Sequence, residues 1–195
     1  MSDDAHKGSN PNDQLATVGP YDNFNITPTQ DGLDRWWATL YEGIKMANVV
    51  IEKVPSIQMD TILRNRYVAE ARFLRALFYF DAVRAWGGVP LVTTLNPPLK
   101  LQRASSDQVY EQVLSDLHYA LANLKEKSEL KDQDQGRATK GAARALLAKV
   151  YLFRHDYVNA EKYALEVIHS GEYDLEPVFI DANGVNGENG PESVF

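Results

Sequence analysis

Apolar residues recur at intervals of three and four along five segments of the chain, which is the spacing of one face of an α-helix. The pattern predicts helices over residues 31–54, from Ser56 or Asp60 to Trp86, from Ser105 to Leu124, over 139–154 and over 157–169. Residues 1–31 and 176–195 are rich in Gly, Pro, Asn and acidic side chains, and we predict that they are irregular. The charged stretch 125–135 is predicted to be a solvated loop, and Ser105 with Gln108 has the spacing of a capping box at the start of the third helix. The sequence therefore predicts an all-α fold.

The second predicted helix carries apolar or aromatic side chains on nearly every face. A helix of this kind is buried by other helices on several sides. Gly87 and Gly88 supply a C-terminal cap, and Pro90 prevents the helix from continuing. Four large rings are therefore expected in the interior of a helical stack: Phe73, Phe78, Tyr79 and, in a later helix, Tyr151.

One sequence pattern occurs twice. Residues 71–79 and 143–151 both read A-R-x-L-x-A-x-x-Y. The offset is close to twice the repeat of about 34 residues that is typical of tetratricopeptide arrays. The last two predicted helices also match such a repeat at several positions: Leu147, Ala148, Tyr151, Ala160 and Ala164. We predict stacked, tetratricopeptide-like helical hairpins, and chance resemblance between two Ala-rich helices is the alternative.

Composition and charge exclude several classes of function. The chain has 195 residues, a formal net charge of −7 and no cysteine. Lys and Arg form no basic stripe, so nucleic acid and anionic membrane surfaces are poor partners. The absence of cysteine excludes disulfides, thiolate metal sites and cysteine nucleophiles. No apolar run approaches the roughly 20 residues of a membrane-spanning helix.

No catalytic residue, metal site or cofactor is predicted. None of the four histidines has a partner at a metal-ligand spacing, and the phosphate-binding and nucleophile-elbow motifs do not occur. The clustered carboxylates lie in polar sequence with no apolar surroundings that would raise a pKa, which disfavours a glycosidase. Trp37 follows the apolar stripe of the first helix and is expected in the core, whereas Trp36 is expected to be partly exposed.

Three polar residues stand among apolar ones. Asn48 lies on the apolar stripe of the first helix, so its amide needs a partner from a helix end or a loop backbone. Arg72 and Arg75 lie within the second helix and are expected to pair with a carboxylate of the same or another helix. We expect these interactions to fix helix register, which makes them structural.

A set of short motifs in constant order resembles the SusD-like (RagB-like) family of proteins. The motifs are Trp37-x-x-x-Tyr41-x-x-Ile44-x-x-x-Asn48, the run of residues 69–77, Trp86-Gly87-Gly88-Val89-Pro90-Leu91, Asp116-Leu117 with Ala120, residues 136–139, residues 147–152, Gly171-x-Tyr173-x-Leu175 and Glu192-Ser193-Val194-Phe195. Together they extend from about residue 31 to residue 195.

The resemblance implies a surface-exposed outer-membrane lipoprotein of Bacteroidetes-type bacteria. Such proteins bind a glycan or oligosaccharide and cover a TonB-dependent SusC-like transporter as a hinged lid. The chain is then expected to be a single helical domain over residues 1–195, the N-terminal portion of a longer protein. The leader, the lipid-bearing cysteine that attaches it to the membrane and the second half are expected to lie outside it.

The resemblance also suggests where a ligand binds. Family members that bind starch carry an aromatic-rich loop after an acidic motif similar to Ser2-Asp3-Asp4, but residues 5–10 here contain no aromatic side chain. This departure argues against a starch-like ligand. The candidate ligand-facing residues are Asp4, His6, Lys7, Asn10, Tyr21 and Phe24. Packing against the helices is the alternative role for Tyr21 and Phe24.

Two other functions are weighed against glycan binding. A tetratricopeptide-like scaffold for protein–protein interaction requires only the helical repeat. A carbohydrate-active enzyme requires a pair of positioned carboxylates, which the sequence does not offer.

Overall fold

The computed structural model describes residues 18–22, 24–182, 184 and 187–195. Seven α-helices lie in these ranges: α1 (Gly19–Asp22), α2 (Asp31–Lys53), α3 (Thr61–Trp86), α4 (Ser106–Asn123), α5 (Lys140–Phe153), α6 (Tyr157–Ile168) and α7 (Phe179–Ala182). Short 3₁₀ turns cover Val54–Ser56, Lys127–Glu129 and Asp132–Asp134. Within the described ranges there is no β-strand, and Pro90 and Arg103 form an isolated bridge. The predicted all-α fold is confirmed.

The helices begin at side chains that the sequence offers as caps. Asp60, rather than Ser56, caps α3 and accepts a hydrogen bond of 2.8 Å from the Leu63 amide. Ser105 and Gln108 form the predicted capping box of α4, with both reciprocal bonds present. At the other end of α3, Gly87 has a φ of 70°, a conformation that a residue without Cβ adopts readily. Cap chemistry therefore explains why the predicted boundaries lie so close to the observed ones.

The chain divides into two compact units, residues 1–42 and residues 43–195, and the boundary lies within α2. The predicted single domain over residues 1–195 therefore stays a prediction. In the second unit α3 packs on α4, α4 on α5 and α5 on α6. The order is that of two stacked hairpins, α3–α4 and α5–α6, as tetratricopeptide repeats arrange their helices. None of the helices in the described ranges is long and apolar enough to cross a membrane.

The four rings expected in the interior divide into two pairs. Phe73 and Tyr79 are buried, as predicted. Phe78 is only half-buried. Its ring packs over Gly43, but it also lines an open groove between α2 and α3, which leaves part of the ring exposed. Tyr151 is also half-buried and stacks almost parallel on Tyr163, with 5.7 Å between ring centroids. Interior packing was therefore the wrong prediction for Phe78 and Tyr151, which lie at the edge of the stack.

Three segments expected to be irregular contain local structure. The described part of residues 1–31 includes α1, and α7 lies within residues 176–195. The charged stretch 125–135, expected to be a solvated loop, is held to the helices by ion pairs. Its Glu126 receives two bonds of 2.9 Å from Arg144 of α5, which fixes the stretch against the stack.

Candidate functional site

A buried ion pair lies at the centre of the helical stack. Arg75 of α3 and Asp116 of α4 are 3% and 0% exposed. The guanidinium donates two bonds of 2.7 Å, from Nε and Nη2, to the two carboxylate oxygens of Asp116. This planar two-bond geometry is the strongest form of such a pair, and it fixes α3 and α4 in register. The predicted pairing of Arg75 with a carboxylate of another helix is confirmed.

The same arginine reaches a surface loop. Its Nη1 donates to the Oδ1 of Asn48, at 2.7 Å, and to the backbone carbonyl of Thr93, at 3.3 Å. Asn48 in turn donates from Nδ2 to the carbonyl of Val92, at 2.8 Å. The amide on the apolar stripe of α2 therefore has the loop-backbone partner that the sequence required. We call Asn48, Arg75 and Asp116, together with Tyr79 described next, the buried polar network.

Tyr79 also binds the loop at Val92, the residue whose carbonyl Asn48 contacts. Its hydroxyl accepts a hydrogen bond of 2.7 Å from the Val92 amide and donates one of 3.1 Å to the Val92 carbonyl. Burial raises the pKa of Tyr79 to about 12, so the hydroxyl keeps its proton at physiological pH. Both polar groups of the Val92 backbone are thus satisfied by side chains of the helical core.

We call residues 87–104 the anchored loop, because contacts hold it along its length. The Ala104 amide donates to the Val89 carbonyl at 3.1 Å, and the Arg103 side chain donates to the Gly88 carbonyl. Gly88 lies so close to the Ala104 carbonyl that a Cβ has no room there. Farther along, the Leu95 amide donates to a carboxylate oxygen of Glu52 of α2, at 2.7 Å. The loop backbone is therefore fixed at both roots and near its middle.

The outer part of the anchored loop, residues 94–100, presents polar and apolar side chains to solvent. Thr94, Asn96 and Lys100 are exposed, and so is Leu99. A hydroxyl, an amide and an ammonium group on a fixed backbone can each bond to a polar ligand without a large loss of conformational entropy. Sequence reasoning did not select this loop. The available signal was the set of polar residues on apolar helix faces, which mark where the core binds a loop.

The predicted ligand-facing residues are only partly covered by the structure. Asp4, His6, Lys7 and Asn10 lie outside the described residues. Tyr21 of α1 is half-buried, whereas Phe24 is 61% exposed and has a φ of 55°. The exposure of the Phe24 ring argues against packing as its main role. It leaves an apolar face open to a ligand.

The two neighbouring tryptophans of α2 differ in burial. Trp36 is partly exposed, as predicted. Trp37 is half-buried and packs on Tyr41 with 4.8 Å between ring centroids. We expected it in the core, and its ring is only partly covered.

The described residues offer little for catalysis or for metal binding. Among them no group of three or more His, Cys, Asp or Glu side chains is placed to hold a metal ion. Two carboxyl groups of the described residues, those of Asp134 and Asp156, have a pKa shifted by their hydrogen-bond partners. The pKa of Asp134 lies below its usual value because Arg66 donates a hydrogen bond to its carboxylate. The pKa of Asp156 is also lowered, because its carboxylate accepts hydrogen bonds from the side-chain amide and from the backbone N–H of Asn159 where it caps α6.

Comparison with known proteins identifies the family. A family model of SusD-like proteins, described as starch-binding and associating with the outer membrane, matches residues 3–152. The chain belongs to the SusD-like family. A SusD-like protein of Bacteroides ovatus is 33% identical over 191 residues, which cover 88% of this chain and 34% of that protein. The predicted family is therefore confirmed.

Solved structures of SusD-like proteins share the fold. A laminarin-binding SusD-like protein matches with a TM-score of 0.82 and 32% identity, over 92% of this chain and 41% of that one. A structure with a xylogluco-oligosaccharide matches with a TM-score of 0.76 and 32% identity, over 93% of this chain and 37% of that one. This SusD-like chain thus spans about a third of the length of the curated relative and about two fifths of the solved neighbours.

Proposed function

We propose that the chain is part of a protein that binds a glycan or oligosaccharide without catalysis. The observation that carries the proposal is family membership together with two neighbours of the same fold, one named as laminarin-binding and one solved with a xylogluco-oligosaccharide. The buried polar network around Arg75, which holds the backbone of the anchored loop, agrees with a scaffold for binding.

We further propose that the protein acts at the cell surface as the lid partner of a TonB-dependent SusC-like outer-membrane transporter. The family description, which associates these proteins with the outer membrane, supports this location. Attachment is through a lipid anchor outside the present 195 residues. The helical stack forms the rigid body of the proposed lid, since a bidentate ion pair joins the two helices of the first hairpin and Phe80 of that hairpin packs edge-on against Phe153 of the second.

We propose two sets of ligand-facing residues, each taken by itself. The first consists of Asp4, His6, Lys7, Asn10, Tyr21 and Phe24. The second is the outer part of the anchored loop, with Thr94 and Asn96. A sugar presents hydroxyls at its edge and C–H groups on its face, so it is bound by amides and hydroxyls beside an aromatic ring. In the first set exposed Phe24 offers an aromatic ring, and in the second set exposed Asn96 offers an amide.

Calorimetric titration with laminarin, xyloglucan oligosaccharides and starch tests glycan binding in the full-length protein. We expect saturable binding to at least one of the first two. Asn96→Ala is expected to weaken it about 3- to 10-fold, since one neutral hydrogen bond contributes roughly 0.5–1.5 kcal/mol. Gln133→Ala removes an exposed amide outside the anchored loop and is the matched control. Binding of a soluble peptide with no binding of any polysaccharide would favour the protein-interaction scaffold instead.

Co-purification tests the transporter partnership. The full-length, lipid-anchored protein is expected to remain with a large β-barrel receptor through detergent extraction and affinity capture. A protein that binds glycan with unchanged affinity but never co-purifies with a receptor would refute the lid role and leave glycan binding intact.

A further inference from the structure

A carboxylate near the end of α2 stands where the helix itself gains nothing from it. Glu52 lies in the last turn of α2, and the helix macrodipole disfavours a negative charge there. Its side chain is exposed and adds nothing to the core. One of its oxygens instead accepts the 2.7 Å hydrogen bond from the Leu95 amide, 43 positions along the chain. Residues that depart from a local preference often serve a contact elsewhere, and here that contact is with the anchored loop.

The bond to Leu95 holds the loop where its backbone changes direction. Residues 94–96 form a bend, and Leu95 is its central residue. Thr94 and Asn96 are exposed on either side of it, whereas Leu95 is half-buried. Of the hydrogen bonds described above, this one lies nearest to Asn96 along the chain, since the next holds the Thr93 carbonyl. Glu52 therefore fixes the backbone between the two side chains that we propose for the ligand.

The backbone after Leu95 has little freedom of its own. Pro97 and Pro98 follow Asn96, and each pyrrolidine ring fixes its own φ at about −65°. Asn96 precedes a proline, so steric contact with the ring keeps it out of the helical region. With the Leu95 amide held on one side and the proline pair on the other, few torsions are left to redirect the Asn96 side chain. A single hydrogen bond at Leu95 can therefore set where the Asn96 amide points.

We propose that Glu52 is a positioning residue for ligand binding, which acts by holding the Leu95 amide so that Asn96 presents its side-chain amide to the glycan. The inference rests on the glycan binding proposed above. A side chain that is held in its binding direction loses less conformational entropy when the ligand binds. The acceptor is a charged carboxylate, and such a hydrogen bond is stronger than one between neutral groups. Loss of Glu52 should therefore weaken binding although Glu52 itself does not touch the ligand.

Titration of the full-length protein with laminarin and xyloglucan oligosaccharides compares three variants. Glu52→Ala is expected to weaken binding about 3- to 10-fold, as Asn96→Ala is, because both remove the same ligand contact. Glu52→Gln keeps an amide carbonyl that can accept the Leu95 bond, so its affinity should stay within about twofold of that of the unsubstituted protein. Glu161→Ala removes an exposed carboxylate of α6 and is the control, with unchanged affinity.

Two measurements separate positioning from a general contribution to stability. In an Asn96→Ala background, Glu52→Ala should weaken binding by less than about twofold more, because the side chain that it positions is already gone. Hydrogen exchange at the Leu95 amide should be at least about 10-fold faster in Glu52→Ala than in Glu161→Ala, since the amide has lost its acceptor. A residue that only stabilised the fold would instead weaken binding to the same extent in both backgrounds.

Independent losses in the double variant, or an unchanged exchange rate at Leu95, would overturn the inference while glycan binding stood. The binding of the unsubstituted protein is read first and by itself. If it bound neither glycan, the proposed function would fail and the inference with it, so the two failures are told apart by that first titration.

Discussion

The buried ion pair between Arg75 and Asp116 allows a quantitative test of how much burial adds to the stability that such a pair contributes. Replacing Asp116 by Ala removes both bonds of 2.7 Å from Arg75 and leaves a guanidinium that is 3% exposed without a counter-charge. Breaking a buried pair in this way costs about 3–5 kcal/mol, because the remaining charge keeps its full desolvation penalty. A domain has only about 5–15 kcal/mol of stability, so the variant should lose roughly a fifth or more of it.

Urea unfolding followed by circular dichroism at 222 nm measures this loss. With a denaturant slope near 2.5 kcal/mol/M, the midpoint should fall by about 1–2 M. The matched control is Asp81→Ala, which breaks an ion pair between Asp81 and Arg84, both partly exposed, on the same helix. Pairs of that kind contribute less than about 1 kcal/mol, so its midpoint should change little.

A second substitution separates the cost of an unpaired charge from the value of the pair. Adding Arg75→Met to an Asp116→Leu background removes both charges, and stability should recover in part, with a coupling energy above about 1 kcal/mol. Equal losses for Asp116→Ala and Asp81→Ala would refute the reasoning, since burial would then make no difference. So would a double variant no more stable than Asp116→Leu alone.

Three further expectations concern the loop and the edge of the stack. Tyr79→Phe should cost about 1–3 kcal/mol in urea unfolding and speed hydrogen exchange at the Val92 amide, which loses its acceptor; unchanged exchange would contradict the assigned bond. Gly88→Ala should cost about 1–3 kcal/mol and lower the melting temperature by roughly 3–10 °C, because its Cβ meets the Ala104 carbonyl; an unchanged melting curve would show that the loop root is not fixed. Burial lowers the pKa of His118, so the unfolded state binds more protons below about pH 6.5 and stability should fall as pH drops from 7.5 to 5.5. The fall should be smaller in His118→Gln, and an equal fall would assign the effect to other groups.

Much of the fold was accessible from the sequence because its signals are local. Helix ends depend on a few adjacent residues, and Asp60, Ser105 and Gly87 act as their chemistry predicts. The edge of the stack was harder, since the burial of Phe78 depends on its distant neighbour Gly43, and a sequence pattern does not report which helix faces remain open.

The candidate site was harder to predict from the sequence than the fold, because its contacts join residues that are distant along the chain. Asn48 and Arg75 could be recognised as polar residues in apolar surroundings, and the need for partners followed. Their meeting with Asp116 and with the Val92 carbonyl joins residues 27, 41 and 44 positions apart, and no local rule gives such pairings. The consequence for the loop, that its backbone is held while its outer side chains stay exposed, emerges only from the coordinates.

The contacts that hold the anchored loop fix its backbone without fixing which side chains it displays. Its fastening points are main-chain atoms of Val92, Thr93 and Leu95, so they impose no requirement on the side chains farther out. The side chains of residues 96–100 can therefore be substituted while the backbone of the loop keeps its contacts and its shape. Substitutions at these exposed positions should therefore cost little folding stability.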